Sequence, residues 1–145
     1  MLGELRVDEL LAAIGERTPA PASGAATALA AALAAALAEL SARYAGDEAD
    51  AERAHTLAAE LVELGDADAA AYVAFMEDRN AETRAEIVRI PDEIARKADE
   101  IVALALRAAE RLSTSVAGDA QAAAELARAA ARIARSLAAL NREES

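Results

Sequence analysis

Apolar residues recur every three or four positions along most of the chain, which is the spacing of one face of an α-helix. This pattern predicts six helical segments, over residues 7–16, 23–45, 50–78, 81–89, 92–112 and 119–140. Pro91 separates the fourth segment from the fifth, because proline disfavours helical backbone at the residue before it. The run Ser113-Thr114-Ser115-Val116-Ala117-Gly118 predicts a second break, so that the last helix starts at Asp119.

The helical segments predict an all-α fold, an up-and-down bundle of four main helices plus a short N-terminal one, in a single domain over residues 1–145. In each main helix one stripe is expected to face the core. The stripes are Leu29, Leu33, Leu37, Leu40; Leu57, Leu61, Leu64, Tyr72, Phe75; Ile94, Ala98, Ile101, Ala105, Leu112; and Leu126, Ala130, Ile133, Leu137, Leu140.

Composition narrows this picture. Alanine makes up about a third of the 145 residues and only 2% are aromatic, so strand formers are sparse and an all-β or α/β fold is excluded. Alanine buries little area, so the core lacks bulk. We therefore expect a homodimer, in which a second copy supplies the missing burial.

Charge and rare residues exclude several functions. A net charge of −11 argues against a nucleic-acid partner, since phosphate contacts need clustered Lys and Arg. Without cysteine, and with His55 as the sole histidine, no metal site is expected. The start of the chain lacks a signal-peptide core, and the uncharged run over 24–38 is shorter than a membrane span. We expect a cytoplasmic protein without membrane attachment.

Three places could carry chemistry. The loop from Thr18 to Gly24, stiffened by Pro19 and Pro21, leads into a helix whose first N–H groups could bind an anion; alternatively, Ser23 merely caps that helix. Asp68 falls on an apolar stripe, so it is paired with an arginine, has a raised pKa and transfers protons, or bends out to solvent.

Asp119 follows Gly118 at a predicted helix start, where the local pattern favours an N-cap. Tyr72 and Phe75 are expected in the core, and His55 on the surface.

Several segments together resemble one family. Arg17-Thr18-Pro19-Ala20-Pro21-Ala22-Ser23-Gly24-Ala25-Ala26 is similar to the Thr/Ser-Pro-x-Pro-Gly-Gly-Gly-Ser-Ala-Ala opening of the formiminotetrahydrofolate cyclodeaminase and methenyltetrahydrofolate cyclohydrolase family. Asp68-Ala69-Ala70-Ala71-Tyr72 resembles its Asp-x-x-Ala-aromatic segment, and Ile90-Pro91-Asp92-Glu93-Ile94-Ala95 its Val-Pro-Leu-x-Ile-Ala. Gly118-Asp119-Ala120, followed by an alanine helix ending in Asn141, resembles its Ser-Asp-Ala…Asn stretch. The resemblance extends from about residue 5 to residue 141.

The resemblance implies an all-helical homodimer that acts on a tetrahydrofolate derivative, without a metal or a bound cofactor. The reaction would be ring closure of an N5-formimino group with loss of ammonia, or hydrolysis of a methenyl bridge; the sequence does not choose between them. Asp68 and Asp119 would be acid–base or orienting groups that meet in one cleft, within one chain or across a dimer interface. Thr18, Pro21, Ser23, Gly24 and Tyr72 would bind the substrate.

The chain also departs from the family pattern. Ala22-Ser23-Gly24-Ala25 replaces Gly-Gly-Gly-Ser, Gly118 replaces a serine, and the segment between Phe75 and Pro91 is short and lacks a lysine-rich stretch. These departures keep open a second hypothesis, a non-catalytic dimeric bundle that binds or regulates. In that case both aspartates would be caps or ion-pair partners.

Overall fold

The computed structural model describes residues 1–144, which form helices and no strand. A short 3₁₀ turn, Leu2–Glu4, precedes five α-helices. These are α1 (Val7–Gly15), α2 (Ser23–Tyr44), α3 (Glu48–Glu77), α4 (Ala81–Ala109) and α5 (Thr114–Glu144). Connections of three or four residues link α2 to α3, α3 to α4 and α4 to α5. The last helix, α5, packs against α2 and closes the bundle. The predicted class, four main helices plus a short N-terminal one, is confirmed.

The core combines two kinds of helix surface. α2 and α5 contribute mainly alanines, among them Ala28, Ala35 and Ala127, which are fully enclosed. α3 and α4 contribute the large side chains, as predicted for both helices: Leu57, Leu61, Phe75, Ile94 and Ile101. Small residues on one helix let the larger side chains of its neighbour reach the axis of the bundle, so the core fills despite its alanine content.

In the predicted leucine stripe of α2, Leu37 packs against the core as predicted, but Leu33 and Leu40 face outward, and so does most of the α5 stripe. Leu33 is 66% exposed and Leu40 39%, and on α5 Leu126, Ile133 and Leu140 are exposed by 42%, 45% and 56%. The reason is that the alanine faces of these helices are the ones that permit close packing, which turns the leucines outward. Burial here follows the space available between helices and not the hydrophobicity of the side chain alone.

The break predicted at Pro91 is also wrong, because α4 runs through it without interruption. A proline inside a helix has no N–H for the carbonyl four residues earlier, here that of Ile87. That carbonyl instead accepts a hydrogen bond from Asn141 Nδ2 of α5, at 2.7 Å. A contact between helices thus replaces the missing bond within α4.

The break predicted at 113–118 is shorter than expected, since α5 begins at Thr114. Asp119 therefore lies inside α5, more than one turn from its start, and the N-cap interpretation of Asp119 is wrong. His55 is exposed as predicted, with its Nδ1 3.0 Å from Glu39 Oε1.

Among the described helices, α2 alone is long and apolar enough to span a membrane by length and composition. α2 packs against the other three main helices, and 56% of its most apolar 18-residue stretch is buried within the protein. Its apolar character is accounted for by packing against α3, α4 and α5.

Candidate functional site

One cavity of about 300 Å³ lies where the loop before α2 meets α3, α4 and the end of α5. Each of these elements contributes lining residues: Pro19, Ala20, Ala22, Ser23, Gly24, Asp68, Tyr72, Ile87, Pro91, Leu137, Leu140 and Asn141. Most of them are apolar. Asp68 is the single side chain among them that can carry a charge.

The Asp68 carboxyl has an environment unlike that of the other acidic side chains. Burial raises its pKa from 3.8 to about 6, because the charged form loses contact with water. The hydrogen bonds and ion pairs resolved within residues 1–144 give this carboxyl no cationic partner, so the pairing with arginine that the sequence allowed is not observed. The interpretation with a raised pKa is the one the structure favours.

Gly24 makes room for this carboxyl. A Cβ atom built on Gly24 would lie 2.0 Å from Asp68 Oδ2, 2.4 Å from Cγ and 2.5 Å from Oδ1. A real side chain at position 24 therefore cannot coexist with Asp68 in its present position. Gly65, one helical turn before Asp68, packs next to α2 as well, but a Cβ there would make only an ordinary contact, 3.6 Å from the carbonyl oxygen of Ala25.

The carboxyl therefore lies beside the first turn of α2. Helix N–H groups at Ser23, Gly24 and Ala25 have no acceptor within the helix, and this end carries a partial positive charge. Ser23 does not cap α2, because the N-cap is Ala22 and no side chain makes the capping hydrogen bond. Ser23, which is exposed, and Gly24 line the cavity, so this uncapped helix start borders it.

The opposite wall is built by α4 and α5. Ile87 and Pro91 come from α4, and Leu137 and Leu140 from α5. Asn141 joins these two groups, because its Nδ2 donates to the Ile87 carbonyl oxygen that Pro91 leaves unpaired. The cavity thus has a polar side at Asp68 and Ser23 and an apolar side whose one amide is tied to α4.

Four of the seven residues predicted for the site line this cavity, namely Asp68, Tyr72, Ser23 and Gly24. Pro21 lines a shallower groove next to it, on the outer side of α3. Thr18 lines neither of these two pockets and is exposed, with its Oγ1 3.4 Å from the carbonyl oxygen of Ala20.

Asp119 does not reach the cavity within one chain. The α5 residues that line the cavity are Leu137, Leu140 and Asn141, and Asp119 precedes the first of them by 18 residues, about 27 Å of helix. The convergence of Asp68 and Asp119 expected within one chain is therefore not observed. Their meeting across an interface between two copies stays a prediction.

The residues predicted for the site did not include those that α4 and α5 contribute to the cavity wall, namely Ile87, Pro91, Leu137 and Asn141. One signal was present, since a proline inside a helical pattern implies an orphan carbonyl that needs a donor from elsewhere. Asn141 is separated from Ile87 by 54 positions, so no local pattern connects them.

The cavity is mostly apolar, with one partly buried acid, the uncapped start of α2 and no cluster of metal-ligating side chains among residues 1–144. These features are those of a helical-bundle protein with a candidate small-molecule site. The family model for formiminotransferase-cyclodeaminase matches residues 6–144, and the chain belongs to that family.

One of the solved structures similar to this chain is that of formiminotetrahydrofolate cyclodeaminase from Thermotoga maritima. The TM-score is 0.93 at 22% sequence identity, over 99% of this chain and 81% of that one. At this identity the likeness establishes a shared fold. No curated protein matches the chain by sequence.

Proposed function

We propose that the protein is a folate-dependent one-carbon enzyme, a formiminotetrahydrofolate cyclodeaminase or a methenyltetrahydrofolate cyclohydrolase. The observation that carries this proposal is Asp68, a partly buried carboxyl with a raised pKa in a cavity of ligand size. A group with a pKa near 6 is populated in both protonation states close to neutral pH, as acid–base catalysis requires. Family membership supports a folate derivative as the substrate.

Either reaction uses a single proton-transferring group beside the one-carbon unit. In cyclodeamination N10 of the folate attacks the formimino carbon and its proton passes to the imine nitrogen; a second proton, from an acid, lets that nitrogen leave as ammonia as its C–N bond breaks, and the methenyl bridge is closed. In hydrolysis water adds to the methenyl carbon and loses one proton to a base; the remaining hydroxyl proton passes to N5 as the N5–C bond breaks, which leaves a formyl group on N10. Asp68 would donate the proton in the first case and accept it in the second.

The other lining residues suit the ring system of a reduced folate. Tyr72 offers a flat ring surface, Leu137 and Leu140 offer apolar side chains, and the first N–H groups of α2 can donate to a ring oxygen or nitrogen. Ser23 and Gly24 would orient the ring from the loop side. Thr18 and Pro21, outside the cavity, would contact the part of the molecule that extends from it.

Binding and turnover test the proposal together. We expect 5-formyltetrahydrofolate to bind in titration calorimetry, and 5,10-methenyltetrahydrofolate or its 5-formimino precursor to be converted in a near-ultraviolet assay. Binding without conversion of either compound would support the alternative, a non-catalytic folate-binding module. Absence of binding at millimolar ligand would contradict both.

We also propose that the functional unit is a homodimer, formed along the exposed stripe of α5. Asp119, Leu126, Ile133 and Leu140 are seven residues apart and so share one helix face. Two copies related by a two-fold axis perpendicular to α5 would place their stripes antiparallel to each other. A two-fold axis midway between Leu126 and Ile133 would bring Asp119 of one copy to Leu140 of the other, at the rim of the cavity.

Cysteine crosslinking tests this arrangement, because the chain has no cysteine of its own. In a mixture of Asp119→Cys and Leu140→Cys chains, oxidation should give a disulfide heterodimer. The matched mixture of Ala49→Cys with Leu140→Cys should not, since Ala49 lies in α3 outside the stripe. A monomer by light scattering, or crosslinking equal in both mixtures, would contradict the arrangement.

A cytoplasmic location and a reaction without bound metal or cofactor complete the proposal. Residues 1–144 contain no cluster of metal-ligating side chains, which supports a reaction without bound metal.

A further inference from the structure

We infer that Pro91 and Asn141 act as a pair that positions the apolar wall of the cavity opposite Asp68, and that Asn141 is a positioning residue for the ligand. This inference rests on the proposed folate site. Its starting point is the Ile87 carbonyl, which lies between the two residues and also belongs to the cavity lining.

Pro91 creates the acceptor. In a regular helix the N–H of residue 91 would bond to the carbonyl of Ile87, but proline has no N–H. Ile87 is 3% exposed and Pro91 is fully buried, so water has little access to this position. A buried carbonyl without a donor is costly, and therefore this one needs a partner from outside α4.

Asn141 supplies the donor, and the choice of atom follows from the chemistry. A carbonyl oxygen can only accept, so the amide nitrogen must face Ile87, 2.7 Å away, and the orientation of the amide is determined. The bond also ties the last turns of α5 to the middle of α4. Leu137 and Leu140, one turn or less before Asn141, are held in the cavity wall by the same connection.

The consequence for a ligand is geometric. Leu137 and Leu140 are the accessible side chains of this wall, and α5 does not pack on α3, the helix that carries Asp68, so the wall sets how a flat ring lies relative to the acid. Loss of the Asn141 bond would let the end of α5 move against α4, and small displacements of a bound reactant reduce rates strongly.

A cycle of variants tests the pair. Asn141→Ala removes the amide that donates to the Ile87 carbonyl oxygen. Asn141→Asp keeps the shape of the side chain but replaces the donor with a carboxylate oxygen, which cannot donate to that carbonyl. Pro91→Ala restores a backbone N–H that competes for the Ile87 carbonyl. Asn80→Ala is the matched control. Its side chain also bonds to the backbone of α4, where its Oδ1 accepts from Thr83 N at 2.9 Å, but it lies at the helix start and outside the cavity.

In thermal unfolding, Asn141→Ala should lower Tm, and Pro91→Ala added to it should recover part of that loss. In calorimetry with 5-formyltetrahydrofolate, Asn141→Ala and Asn141→Asp should each raise Kd about tenfold, of the order that one lost hydrogen-bonded contact supports. Pro91→Ala should weaken binding in the parent protein and have little further effect in Asn141→Ala. Asn80→Ala should lower Tm and leave Kd unchanged.

The outcomes separate this inference from the proposed function. If the parent binds the folate and Asn141→Ala binds it equally well, the positioning role is overturned while the proposed function stands. Equal rises of Kd in Asn141→Ala and Asn80→Ala would overturn it too, because general destabilisation would then explain both. A parent that binds no reduced folate contradicts the proposed function and this inference with it.

Discussion

Gly24→Ala tests how closely α2 and Asp68 are fitted to each other. The new Cβ would lie 2.0 Å from Asp68 Oδ2, and all three atoms of the carboxyl group are nearer than 2.6 Å. Carbon and oxygen in contact are rarely closer than about 3.2 Å, so the carboxyl must move by more than about 1 Å. Because it ends a short side chain with a free torsion, it can do so without unfolding the protein.

The expected effects on stability and on activity therefore differ. Alanine within a helix is more favourable than glycine by about 0.5–1 kcal/mol, and an altered Asp68 rotamer costs about the same, so the net change in unfolding free energy should stay within about 1 kcal/mol. A catalytic group displaced by about 1 Å costs on the order of 100-fold in rate. Gly24→Ala should thus fold normally and lose most of its turnover of 5,10-methenyltetrahydrofolate.

Gly118→Ala is the matched control. Gly118 lies inside α5, and a Cβ built on it meets no atom within 4 Å. This variant should gain about 0.5–1 kcal/mol in stability and keep full activity. Thermal unfolding measures the stability of both variants, and the near-ultraviolet assay measures their turnover. A Gly24→Ala protein with the turnover of the parent would refute the reasoning.

Three further predictions follow from the same site. Asp68→Asn should be more stable than the parent at pH 7.5 by on the order of 1–2 kcal/mol, after allowance for solvent at the cavity mouth, and the difference should vanish near pH 4. The reason is that the pKa of Asp68 is raised from 3.8 to about 6, so its ionisation destabilises the folded state as pH rises through that range. Thermal melts of both proteins at the two pH values check this. If the reaction is hydrolysis with Asp68 as the base, kcat/KM should rise as pH increases through about 6. If the reaction is deamination with Asp68 as the acid, kcat/KM should fall over the same range. A kcat/KM that stays constant from pH 5 to 8 would argue against Asp68 in either role. Dialysis against a chelator should leave turnover unchanged, whereas loss that added Zn²⁺ or Mg²⁺ restores would contradict a metal-free reaction.

The sequence predicted which segments are helical, because a period near 3.6 is a local property of the chain. It also drew attention to Asp68, since a carboxylate on an apolar stripe is an exception visible in one helix. What it could not provide was which face of an alanine-rich helix turns inward. Leu33 and Leu140 are more hydrophobic than the alanines beside them, yet helix spacing decides that the alanines are buried.

Pro91 and Asn141 show the second limit. Pro91 alone predicts a break in α4, and the helix continues because a donor 54 residues after Ile87 supplies the missing bond. A compensation of this kind depends on tertiary contact, so it is invisible to a local pattern. Asp119 shows the converse, since its local context favours an N-cap and the helix in fact begins at Thr114.

The central claim is that Asp68 transfers the proton in a reaction on a reduced folate. Its most direct test is turnover of 5-formimino- and 5,10-methenyltetrahydrofolate by Asp68→Asn, compared with Asp99→Asn, which removes an exposed carboxylate of α4 that is paired with Arg135 outside the cavity. We predict that Asp68→Asn binds 5-formyltetrahydrofolate within a few-fold of the parent and loses turnover by about 100-fold or more, while Asp99→Asn retains it. Equal turnover in Asp68→Asn and the parent would contradict the account.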